Sequence, residues 1–132
     1  MLLSSVKKSI TKNMEQSFKM PTDDILGEKV YEALLYVATQ CEPQVLLKKK
    51  NVDDEDEFRP LHSGFYVAMP EFPDFSTDRH LMIDEALSYA VVNFTCFLLG
   101  GNALFDTMTT RWIDTFRKND LNAYAGEEIN ED

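Results

Sequence analysis

Positive charge is scarce in this sequence. Thirteen lysines and arginines face 23 aspartates and glutamates, giving a formal net charge of -10. Such a surface repels phosphate, which argues against a sequence-specific DNA- or RNA-binding protein. Cysteine is nearly absent too: Cys41 and Cys96 are the only two, and no C-x-x-C motif exists. Both lie within helix-like apolar patterns, which predicts buried free thiols in a reducing compartment. Long apolar runs are missing. The richest stretch, Ala86 to Leu99, is interrupted by Ser88, Asn93 and Thr95 and follows Asp84 and Glu85. A bilayer span needs roughly 18 apolar residues, so no membrane helix is expected. The opening "MLLSSVKKSITKNMEQ" lacks the charge-then-apolar order of a signal peptide.

Catalytic and metal signatures are lacking as well. His62 and His80 are the only histidines, 18 positions apart, with no Cys/His spacing that would hold a metal. Read as a calcium loop from Asp53, the acidic run places Phe58 and Gly64 where glycine and the closing carboxylate belong. Asp84 and Glu85 are adjacent on a helix, about 100° apart, and do not converge as an acid–base pair. Gly100-Gly101 lacks the Lys-Ser/Thr of a phosphate loop. The reading is of a protein without enzymatic activity, cofactor or metal.

What is present is a helical pattern. The 132 residues, 44% hydrophobic, suffice for one domain with a real core. Leu3, Val6, Ile10, Met14 and Phe18 recur at steps of three and four, an amphipathic pattern with lysines opposite. Thr22, Asp23 and Asp24 signal a helix start. Leu26, Val30, Ala33, Leu34, Val37, Ala38 and Cys41 make its apolar stripe, and Gly27 is a tolerated cost in propensity. A third stripe runs through Ile83, Ala86, Leu87, Ala90, Val91, Phe94, Phe97 and Leu98. Gly100-Gly101 caps it and Asn102 opens the next helix, which carries Leu104, Phe105, Met108, Trp112 and Phe116.

The fold class is therefore mainly α: a small bundle with a core antiparallel helix pair and one early helix. Residues 1–20 form a basic, amphipathic, flexible arm. Residues 21–120 form the domain, with helices over about 23–42, 82–99 and 103–119 and an extended or β loop over 43–81. Residues 121–132 are a flexible acidic tail. "KKKNVDDEDE" reads as a solvated loop, and "GFYVAM" is the best strand candidate. Charge is unevenly placed. Lys7, Lys8, Lys12 and Lys19 against Glu15 alone give residues 1–20 a net +3, leaving -13 for the rest.

Three stretches resemble the head-to-tail connector, or adaptor, proteins of tailed bacteriophages. They are "DDILGEKVYEALLYVATQCEP", "FYVAMPEFP…DRHLMIDEALSYAVVNFTCFLL" and "LFDTMTTRWIDTFRKND", which span roughly residues 22–120. The resemblance implies a structural virion protein at the head–tail junction, made in the host bacterial cytoplasm. It implies a homo-oligomeric ring, typically twelvefold, that joins the portal to the tail or to other neck rings. Genome DNA would pass through the ring without specific binding. Candidate partner contacts are Lys7, Lys8, Lys12 and Phe18 in the arm; Lys48, Lys49, Lys50, Phe65, Tyr66, Phe72 and Phe75 in the loop; and Tyr124 in the tail. Asp53, Asp54, Glu55, Asp56 and Glu57 are the acidic channel-lining candidates. The alternatives are an acidic inhibitor or DNA mimic of a nucleic-acid-binding partner, and a small enzyme around His62 or His80.

Overall fold

The computed structural model describes residues 1–51 and 55–131, with side chains of the last helix described through Asn119. Four helices, α1 (Leu3–Asn13), α2 (Asp23–Gln40), α3 (Glu85–Leu98) and α4 (Leu104–Glu131), flank a small sheet of β1 (Leu47–Lys49), β2 (Glu57–Pro60) and β3 (Phe65–Ala68). A 3-10 turn at Gln44–Leu46 precedes β1. The fold is mainly helical, with a three-stranded antiparallel sheet in the order β1-β3-β2.

α3 is the hub: α1, α2 and α4 each pack on it, α4 most extensively. α2 buries Leu26, Val30, Ala33, Leu34, Val37 and Ala38, as its stripe predicts. α3 buries Leu87, Ser88, Ala90, Val91, Val92, Thr95 and Cys96. That face is rotated from the expected stripe, since Ala86 and Phe97 are exposed. The reason is local. The Ser88 hydroxyl donates to Glu85 O at 2.6 Å and Thr95 to Val91 O at 2.7 Å, so both satisfy themselves and can be buried. Among its described side chains α4 buries only Thr109 and Ile113. The core thus lies between α1, α2 and α3, with α4 laid on the outside.

Three expectations are refined or corrected. The amphipathic pattern over residues 3–19 does form a helix, over Leu3–Asn13, but it is docked and is not a flexible arm. Leu3, Val6 and Ile10 are at most 2% exposed, and each buried aliphatic side chain is worth roughly 1.5–3 kcal/mol. In the stretch 43–81 the strand expected at "GFYVAM" forms as β3, but "KKKNVDDEDE" is not wholly a solvated loop: β3 pairs Leu47 with Val67 and Lys48 with Tyr66, drawing two of the lysines into β1. Glu57, from the acidic run, opens β2 opposite Ala68. Finally, α4 continues as helix to Glu131, through most of the stretch expected to be a tail.

The sheet sits where α2 ends and α3 begins, held there by two polar clamps. The Arg59 guanidinium on β2 donates to the Ala38 carbonyl at 3.1 and 3.2 Å and to the Cys41 carbonyl at 2.7 Å. These are carbonyls that the end of α2 leaves without helical partners. The Asp84 carboxylate accepts the Gln44 and Val45 N–H groups at 2.9 and 2.8 Å. Asp84 occupies the N-cap position of α3 but makes no side-chain cap there; it caps the 3-10 turn instead.

Candidate interaction surfaces

The segment from Met69 to Met82 is a strap across the N-terminal ends of α1 and α2. Leu2 forms a bridge with His80; the Leu3 N–H donates to Arg79 O at 2.9 Å and the Leu81 N–H to Met1 O at 2.8 Å. α1 has no cap from its own N-cap residue, Leu2. The strap supplies one: Asp78 accepts the Ser4 N–H at 3.0 Å, and hydrogen bonds from Ser4 hold its carboxyl below the usual range. Phe72 lies on α2, its ring centroid 5.4 Å from that of Tyr31, and remains 49% exposed. A recess of about 210 Å3 opens beside it, lined by Leu3, Phe72, Thr77, His80 and Met82 among others. Arg79 and Glu71 pair at 3.5 Å on its wall.

A larger recess, about 450 Å3, lies at the other end of α1, where the chain turns from α3 into α4. Gly100 makes the turn at φ +89°, in the left-handed region. Gly101 is needed for close approach, because a Cβ there would stand 2.6 Å from the Cys96 carbonyl oxygen. The Asn102 side chain then accepts the Leu104 N–H at 2.9 Å, opening α4. Met14, Phe18, Leu99, Leu104 and Phe105 supply the apolar lining. Leu104 is 60% exposed, more than any other large hydrophobic among the described residues.

Five of the nine described charged candidates are engaged within the chain. Asp56 takes hydrogen bonds from Lys48 at 2.5 Å and from the Tyr66 hydroxyl at 2.6 Å. The Lys48 and Tyr66 bonds hold its carboxyl below the ordinary range. Lys50 pairs with Glu57 at 3.4 Å, and Lys7 with Asp23 at 2.8 Å. Glu55, Lys8, Lys12 and Lys49 are exposed, while Asp53 and Asp54 lie outside the described residues. Tyr66 is corrected as a partner contact: its ring is 1% exposed, with only the hydroxyl serving Asp56. Phe75 is half-buried against the core. Phe65 and Phe72 are exposed, and Tyr124 lies on α4 beyond its described side chains. The structure therefore assembles two surfaces the candidates did not specify, Phe72 with Met82 and Phe18 with Leu104. Exposed apolar residues beside prolines or a Gly-Gly corner were the available signal.

The groups that could do chemistry are scattered or quenched. Burial pushes the Cys41 thiol up to about 12, with the Asp84 charge adding to it, and the Cys96 thiol up to about 11. Both thiols are free. His62 and His80 are exposed, one in the β2–β3 turn and one on the strap. Among the described residues, no three His, Cys, Asp or Glu side chains are grouped to hold a metal ion, and no helix is long and apolar enough to cross a membrane. No protein-family model, curated protein or solved structure matches the chain, so the functional reading rests on its own residues.

Proposed function

We propose that this chain is a structural protein of a tailed-phage neck, one subunit of a ring that joins the portal to the tail and surrounds the DNA path. The observation that carries the reading is the pair of recesses at opposite ends of α1, the one beside Phe72 mixed polar and apolar, the one at the α3–α4 corner more apolar. Each has a large hydrophobic side chain left open at its rim, Phe72 or Leu104. Contact surfaces at two ends of one small domain suit a part with a neighbour on each side. The order of elements in the connector-like stretches supports the same reading. The net charge of -10 suits a channel past which a duplex slides without being held by its phosphates.

The acidic-mimic alternative loses ground at Asp56 and Glu57. A phosphate mimic presents free carboxylates, whereas these two are paired with Lys48 and Lys50. The test is reconstitution with the portal of the phage whose genome carries this gene. Co-sedimentation with portal and ring density beneath it in electron micrographs are the expected results. A chain that ignores portal, and instead binds a nucleic-acid-binding protein one-to-one with strong salt dependence, overturns the proposal.

A further inference from the structure

We infer that a third recess, at the end of α2, binds a small organic carboxylate between the guanidinium groups of Arg59 and Arg117. The inference concerns this chain alone, so it goes beyond the neck reading and needs no portal. The recess holds about 300 Å3, at the small end of the range for small-molecule sites. Three elements build it. The end of α2 brings Cys41 and Glu42, β2 brings Arg59, and α4 brings Phe116 and Arg117. Lining charge separates it from the other two recesses. Glu71 and Asp74 against Arg79 leave -1 beside Phe72, and Glu15 alone leaves -1 at the α3–α4 corner. Arg59 and Arg117 against Glu42 leave +1 here. On a chain of net charge -10, this is the recess of the three whose own lining attracts an anion.

Arg59 is positioned before any ligand arrives. Its Nε and Nη2 donate to the Ala38 and Cys41 carbonyls, which fixes the plane of the guanidinium. Those bonds also cover two carbonyls at the negative end of the α2 dipole, which would otherwise repel an anion. The Arg59 Nη1 has no hydrogen-bond partner among the described residues, and the Arg117 guanidinium has neither ion pair nor hydrogen bond among them. Burial and the Asp84 charge push the Cys41 thiol up, while the Arg59 and Arg117 charges pull it down, so both cations act on one sulfur. Planar guanidinium groups match the plane of a carboxylate. One net positive charge neutralises one carboxylate, and the exposed Glu42 opposes the second charge of a phosphate dianion. The half-buried Phe116 ring adds an apolar face, which favours a carboxylate with a hydrocarbon body over a bare inorganic ion.

The test titrates benzoate, benzamide and inorganic phosphate into the full-length chain and follows backbone amide shifts by NMR. Benzoate is expected to bind saturably with a dissociation constant of about 1 mM, moving the amides of Cys41, Glu42, Phe116 and Arg117. Benzamide has the same shape without the charge, and phosphate has charge without the ring. Each is expected to bind about tenfold more weakly, or worse. Arg117→Gln is expected to weaken benzoate about tenfold with melting unchanged, since Arg117 is exposed. Glu42→Gln removes the opposing charge and is expected to tighten benzoate roughly threefold, a gain that misfolding cannot imitate. The inference is overturned if benzoate gives no saturable shift at tens of millimolar, or if Arg117→Gln binds it like wild type. Benzamide binding as well as benzoate, or phosphate displacing benzoate at equal concentration, overturns it too. Portal co-sedimentation is read separately, so failure of this site and failure of the neck reading are distinguishable.

Discussion

Gly27 and Pro73 touch across the groove between α2 and the strap: a Cβ on Gly27 would stand 2.9 Å from the Pro73 carbonyl oxygen and 3.2 Å from the Phe72 ring. From sequence alone Gly27 is a cost, worth about 1 kcal/mol of helix propensity against alanine. In the fold the missing side chain is what lets the strap lie on α2. The obstacle is a backbone carbonyl, which cannot swing aside as a long side chain would. Gly27→Ala is therefore expected to destabilise by about 1–3 kcal/mol in urea unfolding, the cost of overpacking exceeding the gain in helix propensity. An alanine variant as stable as wild type would show that the strap gives way freely.

The strap's second anchor titrates. Asp56, Asp74 and Asp78 all have carboxyls held below the ordinary aspartate range, by hydrogen bonds from Lys48 and Tyr66, from Ser76 and from Ser4 respectively. For a carboxylate depressed in the folded state, the added stability is present above the unfolded value and lost as pH falls through the lower folded value. Melting temperature is expected to fall as pH drops below about 4, with no dependence on these groups near neutrality. Asp78→Asn isolates the α1 cap. It should melt below wild type at pH 7, and the two curves should converge in acid, where Asp78 is itself protonated. Parallel curves across the whole range would remove Asp78 from the account.

The thiols give a third expectation. With Cys41 near 12 and Cys96 near 11, the thiolate fraction at pH 8 is roughly one in ten thousand and one in a thousand. Native protein should react with a thiol reagent far more slowly than a free cysteine, and both groups should react together once urea unfolds the chain. Prompt labelling of either in native buffer would mean that the core opens locally around α2 or α3.

Helical periodicity made much of this fold readable before any coordinates. The α2 stripe needed only counting, and the Gly-Gly-Asn corner announced itself through residue types that turn chemistry demands. What could not be read depended on partners distant in sequence. Lys48 and Glu57 look like members of a solvated charge cluster until β3 pairs with both neighbouring strands. Ser88 and Thr95 look like interruptions of the α3 stripe, yet their hydroxyls bond to their own helix and they face inward. The amphipathic pattern of α1 is legible but sparse, and nothing in it says what the helix docks on; α3 and the strap between them supply its groove and its cap. The two recesses were illegible for the same reason, since each joins stretches more than 60 residues apart.

Arg59 is the residue whose role sequence conceals most completely, a lone cation in "EFRPLH" with no visible partner. In the fold its fork closes the end of α2 by binding the Ala38 and Cys41 carbonyls, and so ties β2 to the helix that carries the largest share of buried aliphatics. Hydrogen bonds from a charged donor contribute roughly 1.5–3 kcal/mol when partly shielded from water. Arg59→Met keeps most of the stem but none of the donors, and is expected to lower the unfolding free energy by that amount, read as a lower urea midpoint with an unchanged slope. Arg59→Lys should recover only part, because a single ammonium cannot span both carbonyls as the planar guanidinium does. A purely electrostatic role would make lysine as good as arginine, so full rescue would sink the capping account. Thiol labelling gives a site-specific check. If the fork holds the last turn of α2 closed, Cys41 should react faster in Arg59→Met while Cys96, on α3, keeps its wild-type rate.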